Sequence, residues 1–70
     1  MDKSLLILDD DAPLRGRLCR AMEVRGFAVM DAGTVRDGIE IVRKTAPAFA
    51  ILDMKLEDGT GLALVQELRK

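Results

Sequence analysis

The sequence has 70 residues, 49% of them hydrophobic and 33% charged, with a formal net charge of −1. A chain this short holds one domain or part of one, near the lower limit at which a single core suffices. Interleaved charges without a basic stripe argue against direct nucleic-acid binding, and the short apolar runs fall far below the ~20 residues needed to cross a bilayer. The N-terminus, Met1-Asp2-Lys3-Ser4, leads into an apolar run that ends in three aspartates, which is not the pattern of a signal peptide. The lone Cys19 cannot form an intrachain disulfide and is expected to act as a small apolar residue on a helix. A cytoplasmic chain is the expectation.

Ser4-Leu5-Leu6-Ile7-Leu8 is a compact apolar run stopped by Asp9-Asp10-Asp11. Its shortness and continuity predict a strand buried on both faces, as in a parallel sheet. Pro13 stands where a first helical turn tolerates it, behind an aspartate able to cap. Leu14, Leu18, Ala21 and Met22 follow at helical spacing, with Arg15, Arg17, Arg20 and Glu23 assigned to the other faces. Gly26 is expected to end this helix. Residues 27–32 form a second apolar run, broken by Gly33. Thr34 precedes a helical pattern carried by Val35, Ile39, Val42 and Ala46, with Asp37 placed as in a capping box, and Pro47 closes it. Residues 48–52 form a third apolar run that ends on Asp53. A loop with Gly59 and Gly61 follows, and Leu62, Val65 and Leu68 begin a third helix.

The predicted order is therefore β-α-β-α-β followed by the start of a helix. It implies right-handed crossovers and an α/β fold, a partial doubly wound parallel sheet with helices on both faces.

In such a sheet ligands bind beyond the C-terminal ends of the strands, where the strand order reverses. Two of the three predicted strands end in aspartate at that edge: Asp9 and Asp10 after the first, Asp53 after the third. Either acidic feature alone would read as a helix cap or a solvated turn. If the first and third strands are neighbours, the two features together bring three carboxylates to one place. Such a cluster repels itself, and Mg²⁺ removes the conflict, since it takes one or two carboxylates plus waters and phosphate oxygens. One carboxylate is then placed to attack phosphorus while the metal neutralises the transferring oxygens.

Leu8-Asp9-Asp10-Asp11 and Leu52-Asp53-Met54-Lys55-Leu56, with Gly61 eight residues past Asp53, resemble the receiver domains of two-component response regulators. The resemblance implies a flavodoxin-like fold and phosphoryl transfer from a sensor histidine kinase, with residues 1–70 as the N-terminal portion of a receiver. Asp53 matches the phosphoacceptor. Asp9 and Asp10 match the acidic pair that positions Mg²⁺, and Lys55 matches the position whose backbone carbonyl completes the metal shell. Thr34, Gly38 and Leu62 match structural positions. Glu57 stands where the family usually has proline, which implies a less constrained loop. The family's five-stranded sheet also exceeds this chain, so its hydroxyl residue, lysine and aromatic switch residue are absent. Asp2-Lys3-Ser4-Leu5-Leu6, Phe49-Ala50, Asp53-Met54 and Leu56-Glu57-Asp58-Gly59 further resemble the redox-responsive regulators of photosynthesis and respiration in alphaproteobacteria. Those regulators carry a DNA-binding domain beyond the receiver, so DNA would be a partner only through that domain.

Three other signals fail. Asp58-Gly59-Thr60 lacks the aspartate nucleophile that a phosphatase signature needs at position 56, which is leucine. An EF-hand loop from Asp53 is broken by Lys55 and Asp58, and Gly59-Thr60-Gly61 is too short for a P-loop. The chain is thus expected to be part of a receiver module that binds Mg²⁺ and, in its complete form, accepts phosphate on Asp53, and not a turnover enzyme. By itself it is expected to form only the Mg²⁺ corner of the site. Its third strand, lacking a neighbour, is expected to drive a homodimer or higher assembly. The alternative is a self-associating interaction module with no phosphotransfer competence.

Overall fold

The computed structural model describes residues 2–53 and 66–69. Strand β1 (Ser4–Leu8) leads through helix α1 (Ala12–Val24) to β2 (Ala28–Ala32), and helix α2 (Val35–Lys44) returns the chain to β3 (Phe49–Leu52). Residues 66–68 are helical. The starts and stops have local causes. Asp11 caps α1 by accepting a hydrogen bond from the Leu14 N–H at 3.1 Å, with Pro13 in the first turn where its missing donor costs nothing. The helix closes on Gly26, whose φ of 93° suits glycine. Thr34 caps α2 through the Asp37 N–H at 3.1 Å. The half of the predicted capping box that Thr34 supplies is therefore formed.

Three boundaries differ from the sequence reading. The Phe27 N–H donates to the Met22 carbonyl at 3.1 Å, so Phe27 closes α1 and β2 begins at Ala28. The Ala48 N–H donates to Ser4 Oγ at 2.9 Å instead of joining the ladder, and β3 begins at Phe49. Ala46 lies beyond α2 and is exposed. It precedes Pro47, and the residue before a proline is pushed out of the helical region.

The sheet has the order β2-β1-β3, and both pairings are parallel. This is the predicted α/β fold, a partial doubly wound sheet. Ser4 pairs with Ala28 and Leu8 with Ala32 on one side, while Leu5 pairs with Phe49 and Leu8 with Leu52 on the other. Paired residues in a parallel ladder share a face, so the register sorts the side chains. Leu6, Leu8, Met30, Ala32 and Leu52 form one layer, packed with Val35, Ile39 and Val42 of α2 and with Leu68. Leu5, Ile7, Val29 and Asp31 lie on the opposite face, where α1 contacts β1 and β2.

Leu5 to Leu8 are all within 2% of complete burial. Each such aliphatic side chain contributes roughly 1.5–3 kcal/mol when removed from water, so β1 is the centre of the core. Strand β3 is different. Among the described residues it pairs with β1 alone, and Phe49 and Ile51 remain 48% and 39% exposed on the α1 face. Among the described residues β3 is therefore an edge strand with exposed apolar side chains, as the sequence reading expected.

Candidate functional site

The parallel register brings the C-terminal ends of all three strands to one edge of the sheet. Chain direction also reverses there. From β1 the chain passes to β2 on one side, and from β2 it crosses back to β3 on the other. The crevice between the ends of β1 and β3 is therefore the topological switch point, where open α/β sheets take their ligands.

Two backbone hydrogen bonds carry the ladders one step past the strands. The Asp9 N–H donates to the Ala32 carbonyl at 3.1 Å, and the Asp53 N–H donates to the Leu8 carbonyl at 2.9 Å. Asp9 and Asp53 are thus fixed on either side of the same crevice. Asp9 Oδ1 accepts from the Asp11 N–H at 2.9 Å, a tight Asx turn that carries Asp10 around the corner. Oxygen atoms of Asp9, Asp10 and Asp53 all lie within 4.8 Å of one another. Asp10 is open to solvent and Asp53 half-buried, with Asp9 the more enclosed of the adjacent pair.

Three carboxylates held this closely repel one another, and a cation between them relieves the repulsion. All three donors are hard oxygens, without nitrogen or sulfur. That set suits Mg²⁺, which keeps water and phosphate oxygens in the rest of its octahedron. The residues present therefore fit the metal that the sequence reading implies. Lys55, the fourth expected contributor, lies outside the described residues, as do Glu57, Gly59, Gly61, Leu62 and Val65.

Arg15 was assigned to an outer face of α1, and the structure corrects this. Its side chain is 21% exposed and turns toward the sheet, where Nε donates to Asp31 Oδ2 at 2.8 Å and Nη1 donates to the Asp9 carbonyl at 2.7 Å. Helical periodicity cannot distinguish a charge that faces water from one that reaches a partner buried beside it. A signal was nevertheless present. Asp31 is the single charged residue in an otherwise apolar run, and in the register it lies beside Ile7 on the α1 face.

Sequence and structure comparisons give the chain relatives and a fold neighbour. The profile of the response regulator receiver domain matches residues 5–70. The photosynthetic apparatus regulatory protein RegA of Rhodobacter capsulatus is 52% identical over 69 residues, a match that covers 99% of this chain and 38% of RegA. The acid tolerance regulatory protein ActR of Rhizobium meliloti is 48% identical over 68 residues, covering 97% of this chain and 35% of ActR. The chain therefore spans little more than a third of the length of these relatives. A crystal structure of a signal receiver domain from Vibrio parahaemolyticus superposes with a TM-score of 0.87 at 22% identity, covering 99% of this chain and 53% of that one. At that identity the superposition speaks for the fold alone.

Proposed function

Since the chain belongs to the response regulator receiver domain family, we propose that it is the phosphoacceptor segment of a two-component regulator. The observation that carries this reading is the convergence of Asp9, Asp10 and Asp53 within 4.8 Å at the switch point. Asp53 is the acceptor. Its backbone is tied to the Leu8 carbonyl, which holds the carboxylate at the mouth of the crevice. A carboxylate oxygen of Asp53 attacks the phosphorus of a kinase phosphohistidine. The new O–P bond forms as the P–N bond breaks, and the electron pair returns to the imidazole. Asp9, Asp10 and Asp53, with the Lys55 carbonyl, would hold Mg²⁺. When bound, the metal supplies charge neutralisation for the transferring oxygens.

In this reading the chain is a signalling module and not an enzyme with turnover. Its direct partner is a sensor histidine kinase, in the cytoplasm. RegA and ActR are named as regulatory proteins, which supports a transcriptional regulator as the parent protein, contacting DNA through a separate output domain. Residues 1–70 are then the N-terminal portion of the receiver. No described helix is long and apolar enough to cross a membrane.

The test is intact-mass analysis after incubation with Mg²⁺ and a small phosphodonor. It is run on the chain itself and on a hybrid continued with the remaining receiver residues of the R. capsulatus relative. One phosphate adduct on the hybrid, lost in Asp53→Asn, is the expected result. No adduct on either chain would overturn the reading.

A further inference from the structure

We propose that Arg15 is a positioning residue for the acidic site, an inference that rests on the metal-binding reading above. One guanidinium joins three elements. It belongs to the second turn of α1, it donates through Nε to Asp31 on β2, and it donates through Nη1 to the main-chain carbonyl of Asp9 at the end of β1. The planar fork of arginine can serve two acceptors in fixed directions, whereas a lysine ammonium reaching one of them gives up the other.

The Asp9 peptide matters because of what surrounds it. Its N–H is bound to the Ala32 carbonyl and its carboxylate to the Asp11 N–H, while its C=O is held by Arg15. The carbonyl of Asp9 belongs to the peptide plane that leads into Asp10. Fixing that plane fixes where the Asp10 backbone departs, and so where the exposed Asp10 carboxylate stands relative to Asp9 and Asp53. The hydrogen bonds of the Arg15 guanidinium go to the Asp31 carboxylate and to the Asp9 main-chain carbonyl. It acts on the trio through the backbone, in the way outer-shell partners orient the ligands of a metal.

Gly33 completes the arrangement. A Cβ built at residue 33 would lie 2.7 Å from Arg15 Nη1, so the guanidinium fills the space that any larger residue would need. The atom in conflict is the far end of a flexible side chain, so Gly33→Ala displaces the guanidinium without breaking the backbone. Asp31 and Gly33 therefore give the end of β2 a hold, through Arg15, on the acidic loop after β1.

The sign of the effect separates positioning from simple electrostatics. Arg15 is a positive charge close to a cation site, and its removal on charge grounds alone tightens metal binding. A positioning role predicts the opposite.

The experiment titrates the chain with Mn²⁺ alone, reading free ion by electron paramagnetic resonance. Far-UV circular dichroism confirms at the same temperature that each variant is folded. Arg15→Ala is expected to weaken Mn²⁺ binding about tenfold, the lower end for loss of an outer-shell partner. Arg15→Lys should fall between it and the unaltered chain, and Gly33→Ala should weaken binding in the same direction. Arg17→Ala, which removes an exposed charge from the same helix, should leave binding unchanged. If Arg15→Ala does not fold, Arg15→Lys and Gly33→Ala decide. Folded Arg15 and Gly33 variants with unchanged or tighter Mn²⁺ binding would overturn the proposal. Failure of the underlying reading has a different signature: the unaltered chain binds no Mn²⁺, and Asp10→Asn changes nothing.

Discussion

The rings of Phe27 and Phe49 meet edge to face, with centroids 5.6 Å apart and planes at 86°. Phe27 leads into β2 and Phe49 opens β3, so the pair closes over the N-terminal end of the strand between them. Lys3 Nζ stands over the Phe27 ring, 5.5 Å from its centroid. An edge-to-face pair contributes about 0.5–1.5 kcal/mol beyond burial. A double-mutant cycle on Phe27→Ala and Phe49→Ala, followed by urea unfolding, should give a coupling energy in that range. Strict additivity would show that the rings act independently.

Leu6 is completely buried and belongs to the layer that joins β1, β2 and α2. Leu6→Ala should cost about 3 kcal/mol, as cavity-forming changes do. For a chain of this size that is most of the available stability. The expected outcome is loss of the cooperative thermal transition in far-UV circular dichroism. A transition retained near its original midpoint would contradict the assigned core.

The Thr34 hydroxyl satisfies the Asp37 N–H at the start of α2, with Asp37 in the first turn and Arg43 and Lys44 in the last, each on the favourable end of the helix dipole. Thr34→Ala should destabilise the chain by about 1 kcal/mol, and Thr34→Ser should restore most of that loss. Equal denaturant midpoints for alanine and serine would show that the cap is not formed in solution.

Burial pushes the Cys19 thiol above its ordinary pKa. Asp31 and Glu23 add to the rise, while Arg15 and Arg20 offset part of it. Only the thiolate is nucleophilic, so a raised pKa means less reactive species at any pH below it. Alkylation by iodoacetamide, read by mass, should be slow near pH ~8.5, the pKa of a free thiol, and should accelerate as pH rises further. Asp31→Asn removes a charge that raises the pKa and should speed the reaction. Arg15→Ala removes a charge that lowers it and should slow the reaction. Rates in the reverse order would mean that the ion pair does not stand beside Cys19.

The outer edge of β3, together with exposed Phe49 and Ile51, presents ladder groups and apolar surface on the same strand. Sedimentation equilibrium of the chain should show a concentration-dependent dimer or larger species, shifted toward monomer by Ile51→Lys, because a charge on an edge strand discourages pairing. A monomer at all concentrations would remove the self-association expected from the sequence.

Much of this was legible in the residues. Short apolar runs stopped by aspartate, glycine and proline mark the strands, because a doubly covered strand has no polar positions to interrupt it. Thr34, Pro13 and Gly26 mark helix ends through local chemistry that tertiary packing did not override. The convergence of Asp9, Asp10 and Asp53 followed from strand direction once the first and third strands are neighbours, and the structure supplies that adjacency. What escaped was the role of Arg15 and Asp31. A charge reaching across two elements leaves no periodic trace, and the apolar run 27–32 hid Asp31 among its neighbours. Ala46 escaped for a smaller reason: its helical spacing was correct, but Pro47 acts on the residue before it.

Strand β1 comes first in the sequence yet lies innermost in the sheet. Its two neighbours are drawn from progressively later segments, and the contact between Ser4 and Ala48 spans 44 positions. During synthesis Leu5 to Leu8 emerge early and wait uncovered, since neither flanking strand yet exists. The entropy of closing the longer loop must also be met before the second flank can dock. Leu5 to Leu8 thus precede both of the strands that cover them, and their cover is complete only when β3 docks. In a cell, that interval is when a chaperone would find β1, and mutations that slow the arrival of β3 would lengthen it.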